Sequence, residues 1–234
     1  RDVYIAKPKQ NLSKEQMLYY AYVIENNKYR FNYGRQANKT LKNILIPDIT
    51  ELPDYVNKIS VTDFQFKKES IIDKQFSLNA SNWKWFRYDE VFEIKKGKRL
   101  TKADMIDGDI NYIGATDSNN GITAKISNDE HIHNSNTITV SYNGSIAEAF
   151  YQDKPFWATD DVNVLYPKFE LNPYIAIFFC TLIHKEKYRF NYGRKWDKEM
   201  MNKSQIKLPI TQDGIPDWQF MEDYVKSLNH SKSI

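Results

Sequence analysis

The chain has 234 residues, 41% hydrophobic and 27% charged, enough for one or two globular domains with real cores, which excludes wholesale intrinsic disorder. The 33 Lys and Arg against 30 Asp and Glu leave a net charge of +3, so any polyanion partner must be met by local basic patches and not by the overall field. One cysteine, Cys180, excludes a disulfide framework and an all-cysteine zinc site, and the longest apolar run, Tyr174 to Ile183, is too short to cross a bilayer, so the chain reads as soluble and cytoplasmic. It opens on Arg1 with neither Met nor a signal sequence, as expected of a fragment or a processed chain.

In chain order, the first predicted element is a helix opened by Ser13 and Gln16, the two ends of a capping box. It leads into Lys28-Tyr29-Arg30-Phe31-Asn32-Tyr33-Gly34-Arg35, where Gly34 is placed as a helix stop or turn. Asp48 to Lys74, polar and mixed with a Pro53-Asp54-Tyr55 helix start, reads as a connector. Asp109 to Gly114, Thr137 to Tyr142 and Val162 to Tyr166 have the β-branched, partly alternating character of strands, and Asn143-Gly144 predicts a two-residue hairpin turn after the second. Asp160-Asp161 reads as the turn leading into the third. The period then changes: Tyr174, Ile175, Phe178, Leu182 and Ile183 fall at helical spacing, with Asn172 as N-cap and Pro173 at the first helical position. Near the C-terminus, Phe220, Met221, Tyr224, Val225 and Leu228 make one apolar face of a helix opened by Pro216-Asp217.

An internal repeat organises these elements. Lys28 to Arg35 recurs letter for letter as Lys187 to Arg194, and at the same offset Asp2-Val3 aligns with Asp161-Val162, Pro8-Lys9 with Pro167-Lys168 and Leu12 with Leu171. Downstream, Ile44 to Pro47 echoes Ile206 to Pro209, and Pro53-Asp54-Tyr55 echoes Pro216-Asp217-Trp218. A repeat of about 160 residues is domain-sized, far longer than solenoid periods, and implies tandem domains. The expected organisation is the end of a first unit over 1–47, a connector with a short helix over 48–80, a complete second unit over 81–210, and a C-terminal helix over 211–234.

Catalytic signatures are scarce. Asn172-Pro173-Tyr174 approaches an adenine-methyltransferase Asn-Pro-Pro-Tyr motif but lacks the second proline, and helix capping already explains it. His131 and His133 share one face of a predicted strand with no Cys or acid at zinc-finger spacing, so a solvated pair is expected and no metal site. No Walker loop, dinucleotide glycine pattern, nucleophile elbow or nuclease carboxylate set occurs, so no cofactor and no enzymatic activity are expected.

Nucleic-acid signals are better. From Lys185 to Lys207, eight Lys and Arg face three acids, a local charge of +5, with Tyr188, Phe190, Tyr192 and Trp196 interleaved. This is the mixture expected where cations meet phosphates and planar rings pack on sugars or bases. The alternative is that the aromatics fill a core while the lysines coat the solvent face. A second basic run, Lys95, Lys96, Lys98, Arg99 and Lys102, flanks Gly97. Between strands lie loops rich in amides and hydroxyls, Thr116 to Gly121 and Tyr142 to Ser145, suited to reading base edges but also ordinary as turns.

Taken together, Asp109 to Gly121, Ser141 to Tyr151, Ala158 to Val164 and the Tyr-Gly-Arg-Lys-Trp segment resemble the target recognition domain of restriction-modification specificity subunits, the type I S subunit family and its relatives. The resemblance covers Trp83 to Ile210 as one domain and Arg1 to Pro47 as the end of another, and the ending Pro216 to Tyr224 is most similar to type IIB and IIG specificity subunits or fused specificity regions. It implies an α+β fold: a twisted, mainly antiparallel sheet with a small helical part, followed by short amphipathic spacer and docking helices. It also implies a chain without an active site, in which each domain reads one half of a bipartite double-stranded DNA sequence. The implied partners are a methyltransferase (M) subunit or fused methyltransferase domain and, further, a restriction subunit; no membrane is involved. The missing front of the first domain leaves one half-site readable, and the connector is short for the family. On this basis Thr116, Ser118, Asn119, Asn120, Tyr142, Asn143 and Ser145 are assigned to base contacts. Lys187, Tyr188, Arg189, Tyr192, Arg194 and Lys195 are assigned to the DNA backbone, with Lys98 and Arg99 as further candidates. The rival reading is an assembly module that docks methyltransferase chains through aromatic surfaces at Phe190, Trp196, Trp218 and Phe220.

Overall fold

The computed structural model describes residues 5–31, 40–60, 69–190 and 193–234, and the chain divides into two compact units, Arg1–Glu69 and Ser70–Ile234. In the first unit the described residues form helix α1 (Lys14–Asn26), the short helix α2 (Asp54–Lys58) and, between them, single 3-10 turns at Lys28–Arg30, Leu41–Asn43 and Ile49–Glu51. The predicted capping box is present: Gln16 N–H donates to Ser13 Oγ at 3.2 Å, and Ser13 N–H to Gln16 Oε1 at 2.9 Å. Tyr20 donates its hydroxyl to the Pro47 carbonyl at 3.1 Å, and Gln16 Nε2 donates to Asn57 Oδ1 at 3.3 Å, which holds α1 to the later part of the unit. Apolar burial is thin. Among the described residues of this unit only Leu52 and Val56 are buried hydrophobics, and α1 buries no side chain.

Among its described residues the second unit holds nine strands in three sheets. The four-stranded sheet has the order β2 (Phe92–Lys96), β8 (Val162–Pro167), β5 (Thr137–Ser141), β6 (Ala149–Gln152), antiparallel throughout. In the three-stranded sheet, β3 (Asp107–Ile113) pairs antiparallel with β4 (Ile122–Ile126) and parallel with β7 (Phe156–Ala158). A ribbon of β1 (Lys84–Arg87) and β9 (Gln205–Leu208) completes the set. The fold is therefore α+β with mainly antiparallel pairing. Strand β8 explains why these layers stack, because alternate side chains point to opposite faces of a strand. Leu165 enters the large core with Ile94, Ile138 and Val140, whereas Val162 and Val164 pack with Ile113, Phe156 and Ala158 of the other sheet.

Helix α4 (Pro173–His184) lies in the large core, with Asn172 Oδ1 accepting the Ile175 N–H at 3.0 Å and Pro173 opening the helix as its sequence predicts. Ile175, Ala176, Phe178, Phe179, Cys180 and Ile183 are buried. That stripe is broader than one amphipathic face because α4 contacts both β6 and α6 (Trp218–Lys226). On α6, Met221 and Val225 are buried, and Trp218 stacks on Phe169 at 3.9 Å between ring centroids. Helix α3 (Tyr88–Val91) and helix α5 (Lys198–Lys203), the latter capped by Asp197, frame Trp196. That indole is fully buried, stacks on Phe190 at 4.6 Å, meets the Tyr88 ring edge-on and donates to Ser204 Oγ at 2.9 Å. Phe190 and Trp196 are thus core residues and neither nucleic-acid platforms nor docking surface, since both are buried, stacked on each other and, at the indole, closed over by Tyr88 from a distant segment.

The repeat is visible in backbone form. Ser13 and Asn172 are matching N-caps, and 3-10 turns at Lys28–Arg30 and Lys185–Arg189 end on Phe31 (φ −123°, ψ 144°) and Phe190 (φ −124°, ψ 142°). Tyr29 and Tyr188 are 82% and 84% exposed. Asn32 to Arg35, with the predicted stop at Gly34, and Asn191 and Tyr192 lie outside the described residues, while Gly193 stands in a turn.

Two local expectations change. The β5–β6 hairpin forms where Asn143-Gly144 predicts it, but its strands part after Ser141 and rejoin at Ala149, so a seven-residue loop replaces the two-residue turn. Ser141 N–H donates to the Glu148 carbonyl at 2.9 Å and Ala147 N–H to the Ser141 carbonyl at 2.8 Å, closing that loop. His131 and His133 lie on no strand; His133 forms an isolated bridge with Phe156.

Gly97 marks where the end of β2 crosses the β7–β8 connection. Its N–H donates to the Val162 carbonyl at 3.0 Å, and a Cβ there would stand 2.1 Å from the Thr159 carbonyl oxygen. Gly97→Ala must push two backbones apart, and we expect a loss of about 2–3 kcal/mol in stability, measured by denaturant unfolding, with midpoint and not slope affected.

Candidate nucleic-acid interface

The close approach at Gly97 brings the second basic run to the rim of both sheets. Lys98 N–H donates to the Ala158 carbonyl at 2.8 Å, and its own carbonyl accepts Trp157 Nε1–H at 2.6 Å, so the backbone is pinned while the Lys98 and Arg99 side chains remain exposed. Lys96 is exposed too, its Nζ 5.4 Å from the Tyr142 ring centroid. Hydrogen bonding to Tyr142, helped by the Asp160 and Asp161 carboxylates, holds its ammonium above the usual lysine range.

The turn at Asp160-Asp161 leads into β8, as predicted, and also fixes the hairpin loop. Tyr142 donates its hydroxyl to the Asp160 carbonyl at 2.5 Å, and Asn143 Nδ2 donates to Asp161 Oδ1 at 2.9 Å. The Tyr142 ring is 8% exposed. Its part is to hold the loop, because a buried ring with its hydroxyl turned inward presents no edge to a base. Gly144 follows with φ +70°, a conformation that suits glycine, and a Cβ there would stand 3.1 Å from the Ala115 carbonyl oxygen. The two amide-rich loops, separate in sequence, therefore lie side by side.

In the first of these loops Thr116 Oγ1 and Ser118 Oγ are 3.2 Å apart, and Asn119 and Asn120 both take φ 51°. Asn119 Nδ2 donates to the Ile122 carbonyl at 2.9 Å, closing the turn on itself. Asn120 Nδ2 donates to the Tyr151 carbonyl at 3.0 Å while its carbonyl accepts Gln152 Nε2–H at 3.1 Å, so Asn120 is a tether to β6. Thr116 and Ser145 are half-buried, and Ser118 and Asn119 are exposed.

The assigned cations divide. Lys187 pairs with Glu148 and Arg189 pairs with Glu186 at 2.5 Å, so both charges have acidic partners within the unit. Tyr188, Arg194 and Lys195 are exposed, the Arg194 guanidinium carbon lying 6.0 Å from the Phe190 centroid. Tyr192 lies outside the described residues. Sequence reasoning gave no role to Glu148 and named Lys96 only as a member of the second basic run. The signal for Glu148 was available, a lone acid between the apolar Ile146-Ala147 and Ala149-Phe150, but its partners at the end of α4 and in the turn after it were not.

Among the described residues no group of three His, Cys, Asp or Glu could hold a metal ion, and no helix is long and apolar enough to cross a membrane. Burial pushes the Cys180 thiol up to about 12. His131 is exposed, edge-on to Trp157, but His133 is no solvated residue: it stacks on Phe156 with 5.4 Å between centroids, and its Nδ1 lies 2.9 Å from the Tyr166 hydroxyl.

Residues 80–234 match the model of the type I restriction modification DNA specificity domain family, and the chain belongs to that family. It is 37% identical over 241 residues to the type II restriction enzyme BgcI specificity subunit S.BcgI of Heyndrickxia coagulans, across 97% of this chain and 71% of that protein. Similar solved structures include the type I restriction-modification S subunit from M. genitalium, at 18% identity and TM-score 0.47, covering 63% of this chain and 38% of that one. The HsdS subunit from Thermoanaerobacter tengcongensis, at 13% identity and TM-score 0.48, covers 91% of this chain. This chain spans about half that subunit's length, 49%.

His133 supplies a pH prediction. Burial, then the Lys95 and His131 charges, lower its pKa from 6.5 to about 4. The unfolded chain therefore binds the proton first. The stability His133 contributes is present above about pH 6.5 and is lost as pH falls toward 4. His133→Gln should flatten the melting-temperature profile across that window relative to the parent protein, as followed by circular dichroism.

Proposed function

We propose that the second unit reads the sequence of double-stranded DNA as the specificity component of a restriction-modification complex. The observation that carries this reading is the convergence of the Thr116–Asn120 and Asn143–Ser145 loops beside the exposed Lys98 and Arg99 on one rim of the two sheets. Hydroxyl and amide groups are the chemistry that distinguishes base edges, and cations beside them supply sequence-independent attraction to phosphates. Thr116, Ser118, Asn119, Asn143 and Ser145 are the proposed base-contacting residues. Lys98, Arg99, Tyr188, Arg194 and Lys195 are the proposed backbone contacts. Tyr142 and Asn120 hold the loops.

The organisation proposed with it is tandem: 1–47 closes a first recognition domain, 48–80 connects, 81–210 forms a second, and 211–234 ends the chain in a helix. Each domain reads one half of a bipartite site. Family membership supports a methyltransferase subunit or fused methyltransferase domain as partner, with adenine the modified base and a restriction activity joined to it; the chain itself carries out no catalysis.

Selection from a random duplex library by the full-length protein tests the reading. Arg99→Ala and Arg194→Ala should weaken all sequences alike and each reduce the slope of log affinity against log salt by about 1, whereas Asn119→Ala should relax preference at one base pair by about 1–3 kcal/mol. Absence of any sequence preference across all salt concentrations would overturn it.

A further inference from the structure

Glu148 is an acid held largely away from water at the base of the hairpin loop, its side chain 10% exposed. Its carboxylate pairs with Lys187 Nζ and lies 3.1 Å from His184 Nε2. That ring nitrogen also lies 3.0 Å from the Ala149 N–H, and it cannot serve both: accepting from Ala149 requires it bare, and donating to Glu148 requires a proton. Lys187 is the constant counter-ion. His184 and Lys187 come from the end of α4 and the turn after it, the segment that carries the repeated octapeptide.

The repeat sharpens the point. In the first unit the matching lysine, Lys28, opens the 3-10 turn after α1 and pairs at 3.7 Å with Glu25 in the last turn of that helix. In the second unit the position of Glu25 is occupied by His184, and the acid is supplied by the hairpin instead. A bond that is local in one copy has become a bond between two elements in the other.

The loop needs such a bond. Ala147, fully buried, has φ 60°, which an L-residue adopts only at a cost, and the loop closes on Ser141 through two backbone hydrogen bonds at that point. We propose that Glu148 is a positioning residue for DNA reading: its ion pair with Lys187 sets the base-contacting loop at a fixed spacing from the backbone-contacting segment that begins at Tyr188. This rests on the DNA-reading assignment above. Gly144 against Ala115 transmits the same constraint to the Thr116–Asn120 loop.

The test has one measurement without DNA and one with it, both on the full-length protein. In amide hydrogen exchange, Glu148→Gln should speed exchange at Ser141 and Ala147 by 10-fold or more while Thr139 and Val140 keep the parent rate. With duplex libraries, the same variant should retain affinity for non-specific DNA and lose about 10-fold in discrimination. Lys187→Gln should reproduce the exchange result, and the double variant should be no worse than either single one. Unchanged exchange or unchanged discrimination in Glu148→Gln overturns the proposal, as does a uniform loosening of the sheet. A parent protein with no sequence preference overturns the DNA reading itself, a failure recognised separately because the exchange measurement needs no DNA.

Discussion

The second unit depends on the burial of β8. It is hydrogen-bonded to β2 on one edge and β5 on the other, and its two faces pack into different cores. Fully burying a Val or Leu side chain is worth roughly 1.5–3 kcal/mol, so Val162, Val164 and Leu165 together bind the helical layer and the second sheet to one strand. Asn163, between them and fully buried, is satisfied on one side by donating Nδ2–H to the Trp196 carbonyl at 3.1 Å. Because the strand begins at Val162, immediately after Asp160-Asp161, the turn that fixes the hairpin loop inherits the strand's rigidity.

That inheritance separates holding from reaching. Tyr142 and Asn120 look like recognition residues in composition, yet their hydrogen bonds go to the Asp160 and Tyr151 carbonyls. Thr116 and Ser118 stand outside those tethers, and the Asn119 amide bonds within its own turn, to the Ile122 carbonyl. The cations divide similarly, Lys187 and Arg189 meeting Glu148 and Glu186 while Lys98 and Arg99 project from a pinned backbone.

What was legible in the sequence was local. Caps at Ser13 and Asn172, the proline start of α4, the strands around Thr137 and Val162, and the repeated octapeptide all rest on neighbours within a few residues, and the structure reproduces the caps, helices and strands. What was not legible rests on distant partners. Phe190 and Trp196 belong to the core because they stack on each other and Tyr88, more than a hundred positions earlier, meets the indole edge-on. Lys187 is neutralised by a residue 39 positions away. Asn143-Gly144 has the turn chemistry of a tight hairpin, but bonds to Asp161 and contact with Ala115 open it into a longer loop. His133, which looked like a surface residue, is claimed by Phe156 and Tyr166.

The side-by-side loops have one more consequence. Neither contributes a rung to the four-stranded ladder, and their fastenings sit at particular places: the Tyr142 hydroxyl, the Asn120 and Asn143 amides, the backbone bonds at Ser141, the Glu148 ion pair and Gly144 against Ala115. Letters between those fastenings can be rewritten while the frame beneath keeps its shape. A surface built in this way can acquire a new vocabulary by point substitution, without the chain having to learn again how to fold.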